Sequence, residues 1–354
     1  RDDVESRGLG DVYKRQRGDD EFFSVLPSSV RIFAKTRQNG QTLRGAPLEV
    51  RSARDYLLNN FSLDSCRYKA SENQIRASAK AESSKNRKNT ETVISVREAW
   101  FRYEKDSKDI LCGMNFDVHA GELTCIVGGN GAGKTTALLT AAGVFAPYRG
   151  KVKYRGKPIS TFRKDKSSAG KIGVLVQNPL CCFVMDSVAE ELEATAKAYK
   201  LPRSGIEEVI DIMQLQSVLG SNPYDISGGE LQRAAIAKLL LPEPEVIFLD
   251  EATKGMDAFF KAEFGALLRR LAARGTAIVL VSHDIEFCAE FADRCAMFFN
   301  GTVIAEGTPQ DVFLGNSFYT TSACRISRGI IPDALTSEQV IDYANRCERK
   351  KNDD

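Results

Sequence analysis

Residues 128–135 read GGNGAGKT and fit G-x-x-x-x-G-K-[ST], directly after the apolar run LTCIV and directly before a helical stretch over 134–142. The pattern demands a buried strand, a turn that needs glycine, and a helix start, in that order. Successive backbone N–H groups then point inward at phosphate oxygens, and the helix start adds the positive end of its dipole. Gly128, Asn130, Gly131 and Gly133 form the cradle, and Lys134 brings a mobile charge to the β and γ phosphates. The Thr135 hydroxyl can ligate Mg²⁺, and Thr136 is the last residue expected in the nucleotide site. The loop specifies a nucleoside triphosphate and, by itself, nothing narrower.

The surroundings predict an α/β fold. TVISVRE, from Thr92, alternates apolar and polar residues as a half-buried strand does, and a hairpin follows near 150–159. Strands at 172–176, 246–250, 277–282 and 295–299 then alternate with a mostly helical stretch over 186–241 and helices over 258–273 and 285–292. Strand–helix alternation implies parallel βαβ units, and the antiparallel start makes the sheet mixed.

Four further segments narrow the chemistry. ISGGELQR at 226–233 opens an apolar-periodic helix with a serine and two glycines, a second anion-receptive helix start, 93 residues beyond Lys134 at Ser227. VIFLDE at 246–251 is a buried strand with Asp250 at its carboxyl end, where α/β sheets place ligands. Asp250 there can hold Mg²⁺ through water, and Glu251 is placed to act as general base on an attacking water. Gln177 ends another apolar strand, where its amide can reach both metal and water. Of two histidines, His119 and His283, the second follows the strand 277–281 and can donate to the γ-phosphate. His119 is expected to be exposed.

In this order and spacing the set resembles the nucleotide-binding domain of ATP-binding-cassette proteins, over about residues 92–310. The resemblance implies a P-loop NTPase cassette: a RecA-like core, an antiparallel β subdomain and an α-helical signature subdomain. It assigns GGNGAGKT as Walker A, Gln177 as the Q-loop and Ser227, Gly228, Gly229 and Glu230 as the signature, which acts in trans. VIFLDE becomes Walker B, KGMD with Asp257 the D-loop, and His283 the switch histidine. Tyr103 in WFRY matches the aromatic that stacks on adenine, with Phe101 the alternative. Ile226 and Ala252 depart from the usual leucine and proline. ATP and Mg²⁺ are the implied cofactors, with Thr135, Gln177 and Asp250 on the metal and Glu251, Gln177 and His283 catalytic.

EATKGMD, SHDIEFCAEFADRCAMFFNG and GNSFYTTSACRISR resemble the ATPases of energy-coupling-factor importers, above all the second half of tandem versions. LPSSVRI, broken by Pro27, and PLEVRSARDYL, with a short helix near Ser52–Leu58, resemble the tail of a first cassette and its connector. The expected organisation is an adapter-derived tail (1–16), that remnant and connector (17–65), a flexible linker (66–90), the ATPase domain (91–310) and a C-terminal helical extension (311–354). The resemblance implies import of a vitamin or transition-metal ion. The partners would be a second cassette, an integral-membrane coupling subunit and a substrate-binding membrane subunit, with the chain peripheral on the cytoplasmic face of a bacterial or archaeal membrane. Val188, Leu192 and Ala196 share one helix face, which either meets the coupling subunit or packs internally. Glu190, Glu191 and Glu193 are read as exposed acids that could touch that subunit.

Another transporter class, or a soluble cassette protein of translation or DNA repair, is the alternative; the latter lacks its coiled-coil insertion here. The net charge of +2 gives no electrostatic case for nucleic acid, and its basic excess sits in the first quarter of the chain. No apolar run approaches the ~18 residues of a membrane span. Nine cysteines form no C-x-x-C pair and read as small buried hydrophobes.

Overall fold

The computed structural model describes residues 26–37, 46–61, 91–165, 168–316, 318–331 and 333–347. The chain divides into two units, residues 89–312 and residues 1–88 with 313–354. The adapter-like tail (1–16) and the linker (66–90) lie outside the described residues.

In the larger unit, alternation along β1 (Thr92–Phe101) puts Val93, Ile94, Val96 and Ala99 into the core. β1 pairs antiparallel with β2 (Leu111–His119). Then come β3 (Leu123–Gly128), buried along its whole length as a central parallel strand must be, and α1 (Lys134–Ala141). β4 (Arg149–Tyr154) and β5 (Lys157–Pro158) complete a four-stranded sheet of order β2-β1-β4-β5, and α2 (Ile159–Lys164) follows. β6 (Ile172–Leu175) leads into three helices, α3 (Val188–Tyr199), α4 (Arg203–Ile212) and α5 (Gly228–Leu240). After them β7 (Val246–Asp250), α6 (Ala258–Ala273), β8 (Ala277–Val281) and α7 (Ile285–Phe291) form βαβ units. β9 (Arg294–Phe299) and β10 (Thr302–Gly307) close the unit.

The second sheet has order β10-β9-β3-β8-β7-β6 and is parallel except for the β9–β10 pair. One apolar core joins both sheets, with Val96, Phe116 and Val152 from the antiparallel one, Ile126, Phe248 and Val279 from the other, and Leu138 from α1. The carboxyl ends of β3, β7 and β8 therefore share one edge, which carries the glycine loop, Asp250-Glu251 and His283.

The smaller unit joins helices Ser28–Thr36 and Val50–Asn60 with helices Ser322–Ser327 and Ser337–Arg346 around Ile32, Leu57, Phe61, Ile326 and Val340. Pro27 does not interrupt structure here. It caps the first helix, where its missing N–H costs nothing. The segment read as a connector and the C-terminal extension thus share one core.

Cys125, Cys288, Cys295, Cys324 and Cys347 are buried, whereas Cys181 is exposed. His119 is half-buried beside Thr92, not exposed, and burial lowers its pKa.

Candidate nucleotide site

The glycine loop leaves β3 at Gly128, whose φ is +155° and where a Cβ would stand 2.3 Å from the Phe298 carbonyl. Gly131 and Gly133 also hold positive φ, and Gly133, at +99°, is the cap of α1. Lys134 is buried and folds back, its Nζ donating to the carbonyls of Gly128 (3.0 Å) and Gly129 (2.8 Å). Burial lowers its pKa, against the pull of Glu251 and Asp250.

Thr135 Oγ1 donates to Asp250 Oδ2 at 2.7 Å. Asp250 is buried, and among the described residues nothing bonds its Oδ1. Burial raises its pKa, partly offset by the Thr135 bond. A buried carboxylate oxygen without a donor, next to a hydroxyl, fits a hard cation or its bound water.

Two residues far apart in sequence, Gln177 and His283, meet at Glu251. Its Oε2 accepts from Gln177 Nε2 at 3.3 Å, and its Oε1 lies 3.2 Å from His283 Nε2. Its backbone has φ +52°, a strained conformation for a side-chain-bearing residue, held by a hydrogen bond that its N–H donates to the Val281 carbonyl at 2.9 Å. An open cavity of about 770 Å³ joins these groups to the loop; its lining includes Tyr103, Asn130, Gly131, Gly133, Lys134, Thr135, Thr136, Gln177, Glu251, Lys254 and His283. Lys254, 3.9 Å from Glu251, is the lining cation that motif reading missed as a site residue; its place in KGMD was the available signal.

Tyr103 presents an exposed ring at the cavity mouth, its hydroxyl 3.1 Å from Thr136 Oγ1. Phe101 instead stacks on Phe145 at 5.0 Å and supports the Tyr103 ring edge-on.

Ser227 caps α5 in a reciprocal box, accepting from the Glu230 amide while Glu230 accepts from the Ser227 amide. None of Ser227, Gly228, Gly229 and Glu230 lines the cavity that holds Lys134. Ser227 and Gly228 are exposed, and Gly229 packs close to the Gly255 carbonyl. Asp257 caps α6 through the Phe260 amide.

On α3, Val188, Leu192 and Ala196 pack internally. Glu190 and Glu193 are exposed, but Glu191 is not: only 1% of its side chain is accessible, and it pairs with Lys238 at 2.5 Å. The helical period places it on the face of Val188, Leu192 and Thr195, so its burial was signalled in the sequence.

Fold and site together define a P-loop nucleotide-binding unit with a cassette signature. Residues 111–254 match the family described as ABC transporter. A protein described as an ABC transporter ATP-binding protein of Bacillus thuringiensis is 36% identical over 91% of this chain and 55% of its own length. The energy-coupling factor transporter ATP-binding protein EcfA of Methanocaldococcus jannaschii is 33% identical over 62% of this chain, which covers 81% of that protein. The solved structure of cbiO1 from Clostridium perfringens, part of the ABC transporter complex cbiONQ, is 30% identical with a TM-score of 0.56, over 63% of this chain and 90% of that one. The chain belongs to the ABC transporter ATP-binding family. It spans about half the length of the Bacillus relatives it matches.

Proposed function

We propose that the chain binds and hydrolyses ATP as one cassette of an energy-coupling-factor type importer for a small solute. The observation that carries the chemistry is the convergence of Gln177 and His283 on the two oxygens of Glu251, at the mouth of the phosphate cradle. The likeness to EcfA and cbiO1 supports the branch.

Tyr103 stacks on the base, and the amides from Asn130 to Thr136 receive the phosphates. Lys134 exchanges its two carbonyls for β- and γ-phosphate oxygens. Thr135, Asp250 and Gln177 would hold Mg²⁺, which supplies charge neutralisation along the phosphate chain when bound. Glu251 takes the proton of the attacking water as general base, Gln177 orients that water, and His283 steadies the carboxylate and the γ-phosphate.

Ser227–Glu230 lie outside this chain's own cavity, which supports their acting on the nucleotide of a second cassette. Asp257 sits in the loop that would face the partner. Closing two cassettes over ATP and reopening after hydrolysis would drive the membrane subunits. Among the described residues no helix is long and apolar enough to cross a membrane, and we place the chain peripherally at the cytoplasmic face.

Glu251→Gln should keep ATP affinity and lower turnover by roughly two to four orders of magnitude. Unchanged turnover overturns the assignment of the base, and tight ATP binding by Lys134→Ala overturns the cradle. Co-purification with an integral-membrane protein supports the transport reading; ribosomes or DNA in its place would favour a soluble cassette protein.

A further inference from the structure

The turn that follows β7 is pinned on both sides and free at its tip. The Lys254 amide donates to the Glu251 carbonyl at 3.0 Å, which folds the chain back toward that residue. Ala252, Thr253 and Met256 are buried, and Gly255, at φ +79°, lets the chain leave the turn. The backbone is therefore fixed, and the four-carbon stem of Lys254 is the part left to move. Its side chain is 74% exposed and lines the nucleotide cavity.

Two lysines line that cavity, and they are held differently. Lys134 is buried in the loop on the carbonyls of Gly128 and Gly129. Lys254 has Glu251 Oε2 as its nearest carboxylate among the described residues, at 3.9 Å. Glu251 does not depend on that contact, because Gln177 at 3.3 Å and His283 at 3.2 Å already hold its two oxygens. An ion pair this long and this wet contributes little. What stands at the tip of the turn is a mobile cation with no strong partner of its own. Its position in the cavity says which anion it fits. Tyr103, at the base end, lies against Thr136 at 3.1 Å, whereas Lys254 lies beside Glu251, where the terminal phosphate and its water belong. ADP has no group that reaches that end, and ATP brings a phosphate with ionised oxygens.

We propose that Lys254 is a specificity-determining residue that bonds the γ-phosphate oxygens and so sets the preference of this site for ATP over ADP. The proposal rests on the reading of the cavity as an ATP site with Glu251 at its γ end. Lys134 meets β- and γ-oxygens and thus serves either nucleotide, while Lys254 has only the γ-phosphate to meet. Departure of phosphate after hydrolysis then removes one anchor, and ADP is held less tightly than ATP.

The test is equilibrium titration of the full chain with ADP and with the β,γ-imido analogue of ATP, which is not consumed, both with Mg²⁺. Lys254→Met should weaken binding of the analogue by about five- to tenfold, the modest loss suited to a water-exposed charge-assisted bond, and leave ADP affinity within about twofold of the parent. Lys254→Arg, which keeps the charge, should retain most of the preference. Added salt should erode the preference of the parent more than that of Lys254→Met. The same loss is expected when Lys254→Met is placed in a Glu251→Gln chain, because the contact is made to phosphate and not through the carboxylate. The proposal is overturned if Lys254→Met prefers the triphosphate as strongly as the parent, if it loses both nucleotides equally, if Lys254→Arg behaves as Lys254→Met does, or if the loss vanishes in the Glu251→Gln chain. A parent chain that binds neither nucleotide instead fails the ATP reading itself, and turnover of Glu251→Gln reports separately on the base.

Discussion

Glu191→Ala tests how the helical region is held. The Glu191 carboxylate accepts from the backbone amides of Val184 and Met185, the latter at 2.6 Å, and from Lys238 Nζ at 2.5 Å. It thereby ties the segment after Gln177 to the last turn of α5, the helix that starts at the signature. Lys238 also donates to the Cys182 carbonyl and lies over the Phe183 ring. Truncation removes three charge-assisted bonds, each worth ~1.5–3 kcal/mol in isolation, and leaves a cation that is only 24% exposed. Breaking a buried pair costs ~3–5 kcal/mol. Water can reach part of Lys238, so the lower end, about 3 kcal/mol, is expected. Urea unfolding followed by Trp100, the single tryptophan and a β1 residue of the same unit, reads this directly. Lys238→Met in the same background should recover part of the loss, because the orphaned charge is gone. Burial opposes the Glu191 charge, but Lys238 and the two amides outweigh it, so its pKa falls below the ordinary 4.5. A depressed folded pKa stabilises above the unfolded value, and that stability disappears as pH falls through the folded one. The gap between parent and variant should be constant above 4.5 and close below it. A gap under about 1 kcal/mol at neutral pH, or one that does not narrow in acid, would refute the reasoning.

Gly133→Ala should abolish ATP binding and lower stability by about 1–2 kcal/mol, since φ is +99° and the new Cβ meets the Ile110 carbonyl at 2.9 Å; equilibrium binding and melting check both. Tyr103→Ala should weaken ATP binding by roughly 2- to 10-fold while Tyr103→Phe, which keeps the ring, stays near the parent; titration with a fluorescent nucleotide decides. Asp250→Asn, like EDTA treatment of the parent chain, should bring phosphate release to background, because the buried Oδ1 loses the charge suited to a cation.

Much of the larger unit was legible along the chain. The strand Val246–Asp250 and the helix Ala258–Ala273 fall where periodicity and caps put them, because buried parallel strands and capped helices are specified locally. The Gln177–Glu251–His283 meeting was not legible from spacing alone. It depends on β6, β7 and β8 lying side by side in one sheet, and the motif roles come from family resemblance. Glu191 was read as exposed because acids favour water; three partners hold it inside instead. Pro27 was read as a break because a helix start is recognised only once the residues after it are seen to pack.

The amino-acid order by itself determined the phosphate loop, the second anion-receptive helix start and the alternation of strand and helix, since each rests on residues within a few positions of one another. Tertiary structure decided which distant side chains meet at the Glu251 carboxylate, which partners hold Glu191 inside, and that helices Ser28–Thr36 and Val50–Asn60 share one core with Ser322–Ser327 and Ser337–Arg346. Those outcomes depend on contacts across tens to hundreds of residues. There, burial selects for shape and apolarity, which many different residues can supply.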